Sequence, residues 1–395
     1  MFAKYALPVI AAAAGANAAC SASATTTIQN AGDATAIATC TTFSGSIAIA
    51  TGVAGDISLN SVREITGTLV ANNATALTSL SADSLESIGT FELAELTVLS
   101  SLSFPRLSQV DRIDWTGLPA LPSLAFTQGV KQAGSVNIQN TFLSSLDGID
   151  LEEVDTFFIA NNNYLQDITV QFKNINEALT LSANGDKLKA SFPNLEWAYN
   201  MTFRNVSEIS TPSLASLNGS LGFYGDKIGN YSAANLTEVG GSLSFVGNGN
   251  LKNISLGALE KIGGGFQIAD NPNLEGNLTF PSLKSVGGAL DFSGNFSSVD
   301  LEDLDDVRGA FNLQSSENID STCSHFKSLS GNSNVIKGKY QCAGSQANPG
   351  GADTTPTSSG SGSSASSTGA AGHLDVTNAA GLGAAGVLAA MLGFF

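Results

Sequence analysis

The chain has 395 residues, with 34 acidic against 17 basic side chains and a formal net charge of -17. That balance excludes nucleic-acid binding, which needs clustered Lys and Arg. Only 13% of residues are charged while 42 are glycine, which suits tight turns and a surface of Ser, Thr and Asn.

Lys4 precedes an apolar run from Tyr5 to Ala14, followed by the small-x-small pattern Ala16-Asn-Ala18. This predicts a secretory signal peptide over residues 1–18, cut after Ala18. The run is too short for a membrane span, which needs about 20 apolar residues.

From there the chain repeats one phrase, glycine followed by two apolar residues with a polar one between. Its first apolar position falls at Ile47, Leu69, Phe91, Ile113, Val136, Phe157, Leu179, Met201, Leu221, Leu243, Phe266, Leu290 and Phe311. Ile47 to Phe311 is 264 residues in 12 steps, a mean of 22. A fixed period of this size marks a solenoid, whose units bury their apolar side only by stacking. The alternation within each phrase is that of a strand with one buried face. Between phrases the leucines stand among Asn, Ser, Gly and Pro without a helical stripe, so short strands and turns are expected. The fold predicted is all-β: a right-handed parallel β-solenoid of about 13 rungs, forming one ectodomain over residues 19–343.

Cys20 and Cys40 lie just before the first phrase, Cys323 and Cys342 just after the last. In an oxidising compartment the simplest of three possible pairings joins Cys20 to Cys40 and Cys323 to Cys342. Each bridge closes a loop of about 20 residues, worth on the order of 3 kcal/mol in the chain-entropy picture. Bridged caps would also cover the open ends of the solenoid. Zinc-type ligand spacing is absent, and His325 is the one histidine nearby, so no metal site is expected.

Residues 344–369 are almost wholly Ser, Thr, Gly, Ala and Pro, the composition of a stalk with hydroxyls available for O-glycosylation. Small residues at Gly369-Ala370-Ala371, a short polar spacer and an uncharged apolar tail then match a glycosylphosphatidylinositol (GPI) anchor signal. Gly369 is the expected attachment residue, with any small residue from Ser366 to Gly372 nearly as good, and 370–395 the propeptide removed. No basic flank follows the tail, as an ordinary spanning helix would require.

Asn73, Asn200, Asn205, Asn218, Asn230, Asn235, Asn253, Asn277 and Asn295 each open an N-glycosylation sequon. Asn73, Asn205 and Asn295 follow the strand phrase closely, where an asparagine can equally bond to backbone within a turn.

A β-helix can also carry a glycan-cleaving site, which needs convergent carboxylates. The best acidic stretch holds Asp300, Glu302, Asp303, Asp305 and Asp306, but Leu301, Leu304 and Val307 take the apolar slots between them, as on a solvated face. No activated nucleophile or unpaired cysteine stands in the repeat, so no catalytic residue and no cofactor is assigned.

The residue between the two apolar positions points outward, giving a row through Glu92, Asp114, Asn137, Phe158, Thr180, Thr202, Gly222, Ser244, Gln267, Asp291 and Asn312. Phe158 and Tyr224, with Arg204, are the candidate ligand face, their rings free to stack on a sugar or seat a protein loop. Single exposed aromatics are also common without a role. Trp115 and Trp197 fall on inward slots and are expected in the core.

The phrase Phe280-Pro-Ser-Leu283-x-x-Val286-Gly-Gly-x-Leu290-x-Phe292 resembles the receptor L-domain repeat of insulin- and EGF-receptor ectodomains, a leucine-rich-repeat-like solenoid. It is echoed from Phe104 to Val110 and from Leu236 to Phe245. With the signal peptide, end cysteines, stalk and tail, the chain is similar to the fungal GPI-anchored cell-wall organisation family of extracellular-mutant and sporulation-specific type. That resemblance implies a glycoprotein of the plasma membrane outer leaflet and cell wall, needed for wall integrity. It implies no enzymatic activity and carries over no catalytic residue. The expected partners are wall glycan or wall-building proteins.

Overall fold

The computed structural model describes residues 20–350. The signal peptide, Gly369, the anchor propeptide and the stalk beyond Gly350 lie outside the described residues. The architecture is a parallel stacked β-solenoid of about 13 turns. Packing divides it into two units, the first ending at Gln132 and including Asp147–Ile149, the second holding Ala133–Leu146 and the chain from Asp150 on.

In the first unit the phrases stack in register, Ile47 on Leu69, Leu69 on Phe91 and Phe91 on Ile113. In the second, Val136, Phe157, Leu179, Met201, Leu221, Leu243, Phe266, Leu290 and Phe311 form one unbroken column. All of these side chains are fully buried. Removing each from water contributes about 1.5–3 kcal/mol, so the spacing read from the sequence is the spacing of the core. The second apolar position stacks likewise: Phe203, Phe223 and Phe245 pile up with ring centroids 5.4 and 4.6 Å apart. Short strands on other sides of the coils make further parallel pairings, such as Ile57 on Leu80 and Leu80 on Leu102, or Tyr231 on Ile254.

The glycine pairs that close many coils are explained by close approach. A Cβ at Gly263 would run into the carbonyl oxygen of Gly240 one coil back, and one at Gly287 into that of Gly263. No side chain fits where backbones lie this near.

Each end carries its disulfide, Cys20–Cys40 and Cys323–Cys342. The caps also contain two helices that the repeat does not announce, Ala31–Ile37 and Asp320–Ser328. The first is started by Asn30, whose side chain accepts from the Gly32 and Asp33 amides, and it buries Ala34 and Ile37. The second buries Phe326 against Phe311 of the last phrase. Among the described residues no helix is long and apolar enough to cross a membrane.

At the turn after the phrase, a ladder of buried polar side chains replaces apolar packing. Asn162, Asn184, Asn248 and Asn271 are buried, and their Nδ2 atoms donate to the carbonyls of Ile138, Ile159, Phe223 and Phe245 at 2.8–3.2 Å. Their Oδ1 atoms serve neighbouring coils: Asn184 Oδ1 accepts from the Asn162 amide and Asn271 Oδ1 from that of Asn248. Each amide thus satisfies a donor and an acceptor that the turn would otherwise bury unpaired. Asp226 occupies this column with a carboxyl group. Its Oδ1 accepts from the Val206 amide at 2.7 Å, while its buried Oδ2 has no partner. Burial pushes the group up to about 7, against the pull of the Val206 and Tyr224 backbone bonds and of the Arg204 charge.

Two predictions follow from this packing. Gly263→Ala should lower stability by about 1–3 kcal/mol in denaturant titrations, because overpacking forces backbone to move. Gly257→Ala, at a position with open space, should change it little; equal losses would refute the close-approach account. For Asp226, the folded state holds a proton more tightly than the unfolded chain, whose carboxyl titrates near 3.8. Stability should therefore fall as pH rises from about 4 to about 7 and level off above, by up to roughly 4 kcal/mol. Asp226→Asn should flatten that decline and raise stability at pH 7–8; a variant that keeps the wild-type slope would show that another group causes it.

Candidate ligand-binding surface

The outward row exists as a single column in each unit. Glu92 lies beside Asp114 in the first. In the second, Asn137, Phe158, Thr180, Thr202, Gly222, Ser244, Gln267, Asp291 and Asn312 follow one another across neighbouring strands. It is not open along its whole length, as an outward direction alone would suggest. Ser244, Asp291 and Asn312 are buried. Over Asp291 and Asn312 the cause is the chain itself: residues 344–350, read as the start of a stalk, lie against the sheet. Asn312 Nδ2 donates to Asp291 Oδ1 at 2.6 Å and to the Gly350 carbonyl at 3.0 Å, and the Gly350 amide donates to Gln314 Oε1. Over Gly222 and Ser244 the cover is Tyr224, whose ring fills the space a Gly222 side chain would need.

Phe158, Arg204 and Tyr224 are half-buried. Arg204 lies over the Tyr224 ring, 4.6 Å from its centroid. Burial raises the Tyr224 phenol, with a hydrogen bond to Ser244 and the Arg204 charge pulling the other way. Such a half-buried cation–π pair contributes about 0.5–2 kcal/mol and holds both side chains against the sheet.

Trp115 is fully buried, where the sequence places it. Trp197 is not. It stands half-exposed on the strand Trp197–Arg204, in register with Asn174 and Ser216, while Ala198 takes the inward slot. The strand is irregular here, since the register shifts between Ile175 and Ala178 on its neighbour, so counting back from Met201 misplaces the tryptophan.

The acidic stretch is a solvated face. Leu301, Leu304 and Val307 are buried between its exposed acids. Asp306, half-buried, bonds to Arg308 at 2.9 Å and Lys337 at 2.6 Å, and these partners hold its carboxyl below the usual range. Other ion pairs also join adjacent coils, Lys261 with Glu238 and Lys284 with Glu260, and such exposed pairs add little stability.

The most exposed aromatic cluster in the second unit is one the repeat does not mark. Phe142 and Tyr164 pack together with centroids 4.0 Å apart and planes tilted by 39°, and are 37% and 53% exposed. Their position follows from their neighbours. Thr141 and Leu143 point inward on one coil, and Asn162 and Leu165 on the next, which leaves the two rings no inward slot. The turns carrying them are tied together by Asn162, whose Oδ1 accepts from both the Thr141 amide and the Thr141 hydroxyl. Exposed amides at Asn140, Asn161, Asn163 and Gln166 flank the pair. Apolar ring faces bordered by uncharged hydrogen-bonding groups suit a neutral saccharide, whose rings present C–H faces edged by hydroxyls.

The sequon asparagines differ in how their side chains are engaged. Asn205 and Asn295 bond to backbone as a turn residue would, Nδ2 reaching the Asn184 carbonyl at 3.4 Å and that of Pro272 at 2.9 Å. Asn73 is exposed in a left-handed turn at φ 54°. Asn230 and Asn253 are exposed and lie side by side on adjacent strands.

The family model for Ecm33, described as a GPI-anchored cell wall organization protein, matches residues 1–38. The chain is 46% identical over 325 residues to the cell surface GPI-anchored protein of Arthroderma benhamiae, covering 82% of this chain and 83% of that one. It is 44% identical over 367 residues to protein ecm33 of Aspergillus fumigatus, covering 91% of each. Sporulation-specific protein 2 of Saccharomyces cerevisiae is 34% identical over 319 residues, 80% of this chain and 63% of its own. No solved structure matches. The chain belongs to the Ecm33 family of GPI-anchored cell wall organization proteins, and is a protein of the cell surface and cell wall.

Proposed function

We propose that this protein organises the cell wall without catalysis, by holding wall glycan on the outer surface of its solenoid. The observation that carries the reading is the exposed, tilted Phe142–Tyr164 ring pair set among amide side chains. Two rings held by packed turns offer a sugar a rigid platform, so little conformational freedom is lost on binding. Phe158 and the Arg204–Tyr224 pair add a second, half-buried part to the same face-binding scheme. The GPI anchor, attached at Gly369 in this reading, would present that surface at the outer leaflet, and N-glycans on the sequons would shield the rest. The names of the relatives describe wall and surface proteins, and none states a reaction.

The purified ectodomain should be retained on insoluble glucan, chitin or mannan in a saturable way and without turnover. Phe142→Ala with Tyr164→Ala should weaken retention about tenfold, since each stacking contact is worth about 0.5–1.5 kcal/mol. Thermal stability should be nearly unchanged, because both rings are exposed. Phe158→Ala with Tyr224→Ala should weaken it less. Release of shortened or transferred oligosaccharide would overturn the non-enzymatic reading. Retention that survives loss of Phe142 and Tyr164 would remove them as the site, and retention of wall proteins but of no glycan would favour an adhesin.

A further inference from the structure

Trp197 is a half-exposed tryptophan in a column otherwise made of polar side chains. Asn174, Ser216, Glu238 and Lys261 stand at the same position on other coils. Its strand also turns Tyr199 outward, 46% exposed. On the next coil the Asn218 amide donates to the Ala198 carbonyl at 3.1 Å and the Gly219 amide to that of Tyr199 at 2.8 Å, which sets Asn218 beside the backbone of the strand that carries both rings. The Trp197 indole N–H then donates to Asn218 Oδ1 at 3.3 Å.

Asn218 opens the sequon Asn218-Gly219-Ser220. The residue is exposed, its Oδ1 is occupied by the indole, and its Nδ2 makes no hydrogen bond. Nδ2 is the atom that carries an N-linked sugar. Several other sequons commit that nitrogen or its partner oxygen to their own turn: Asn235 Nδ2 donates to the Pro212 carbonyl, Asn295 Nδ2 to that of Pro272, and Asn277 Oδ1 accepts from Ser297 and Ser298. Among the described sequons, Asn218 is the one whose amide is oriented by an aromatic ring.

We propose that Asn218 carries an N-linked glycan whose first sugar packs on Trp197 and Tyr199. The linkage forms between Nδ2 and the anomeric carbon of a glycosyl pyrophosphate donor. The amide gives up one N–H proton and the pyrophosphate leaves, so Oδ1 keeps its bond from the indole. The tethered sugar meets the rings at high effective concentration, and its C–H face covers apolar surface that is otherwise left in water. The shelf lays the glycan along the outer sheet. This inference is independent of the saccharide-binding role given to Phe142 and Tyr164.

The chain has two tryptophans and Trp115 is fully buried, so the quencher-accessible tryptophan fluorescence reports Trp197. Glycopeptide mass spectrometry of the secreted protein should find Asn218 modified. Complete enzymatic removal of N-glycans from the folded protein should raise acrylamide quenching of that emission on the order of twofold, as the ring face is uncovered. Trimming to a single sugar should leave quenching low. Asn218→Gln should reproduce the effect of complete removal, and Asn253→Gln should not. An unmodified Asn218, or quenching that is the same before and after complete removal, overturns the proposal.

Discussion

A coil of some 22 residues is too thin to bury its own apolar side, and every other feature of this protein answers that constraint. The neighbours of a residue are its counterparts one coil before and after it, so each position is selected as a column. Leucines and phenylalanines stack on one another, glycines stack where backbones touch, and asparagines stack where a turn would bury its amides. A column fails wherever one member departs from type. Asp226 is such a member: its Oδ1 keeps the ladder's acceptor role, but a carboxylate has no N–H to give, and burial pushes the group up to about 7.

The same constraint explains what could be read before coordinates. Column positions are visible as spacing, which is why the thirteen first apolar residues and the two end bridges match the structure residue for residue. Features that depend on what happens between columns are not visible that way. The helix Ala31–Ile37 needs one capping asparagine and two buried side chains, too little signal to stand out in a Ser- and Thr-rich cap. Trp197 escapes the spacing rule because a local register shift moves it off the column. The Asn162-to-Asn271 ladder had a sequence signal, an asparagine recurring three residues after the second apolar position, but polar residues in a turn read first as surface.

Surface function is the least legible part for a physical reason. Outward side chains are not held to a column type, so an exposed aromatic carries no periodic mark. Phe142 and Tyr164 are recognisable only once Thr141, Leu143, Asn162 and Leu165 are known to fill every inward slot around them. Conversely, Tyr224 looks available by spacing yet lies over Gly222 beneath Arg204, and Asn312 lies under the chain's own residues at 344–350. Pointing outward and being accessible are different properties, and the difference is set by what the next few residues of chain lie across.

Stacking by whole coils is the claim on which the rest stands, and it is tested most directly by cutting out one coil. Deleting residues 243–265 would place Phe266 directly against Leu221 and let Asn271 serve Asp226 in place of Asn248. The account predicts a secreted protein that still unfolds cooperatively, with stability reduced but the β-sheet circular dichroism preserved, while deleting residues 243–253, half a coil, abolishes folding. Equal tolerance of both deletions, or collapse with the whole coil removed, would contradict it.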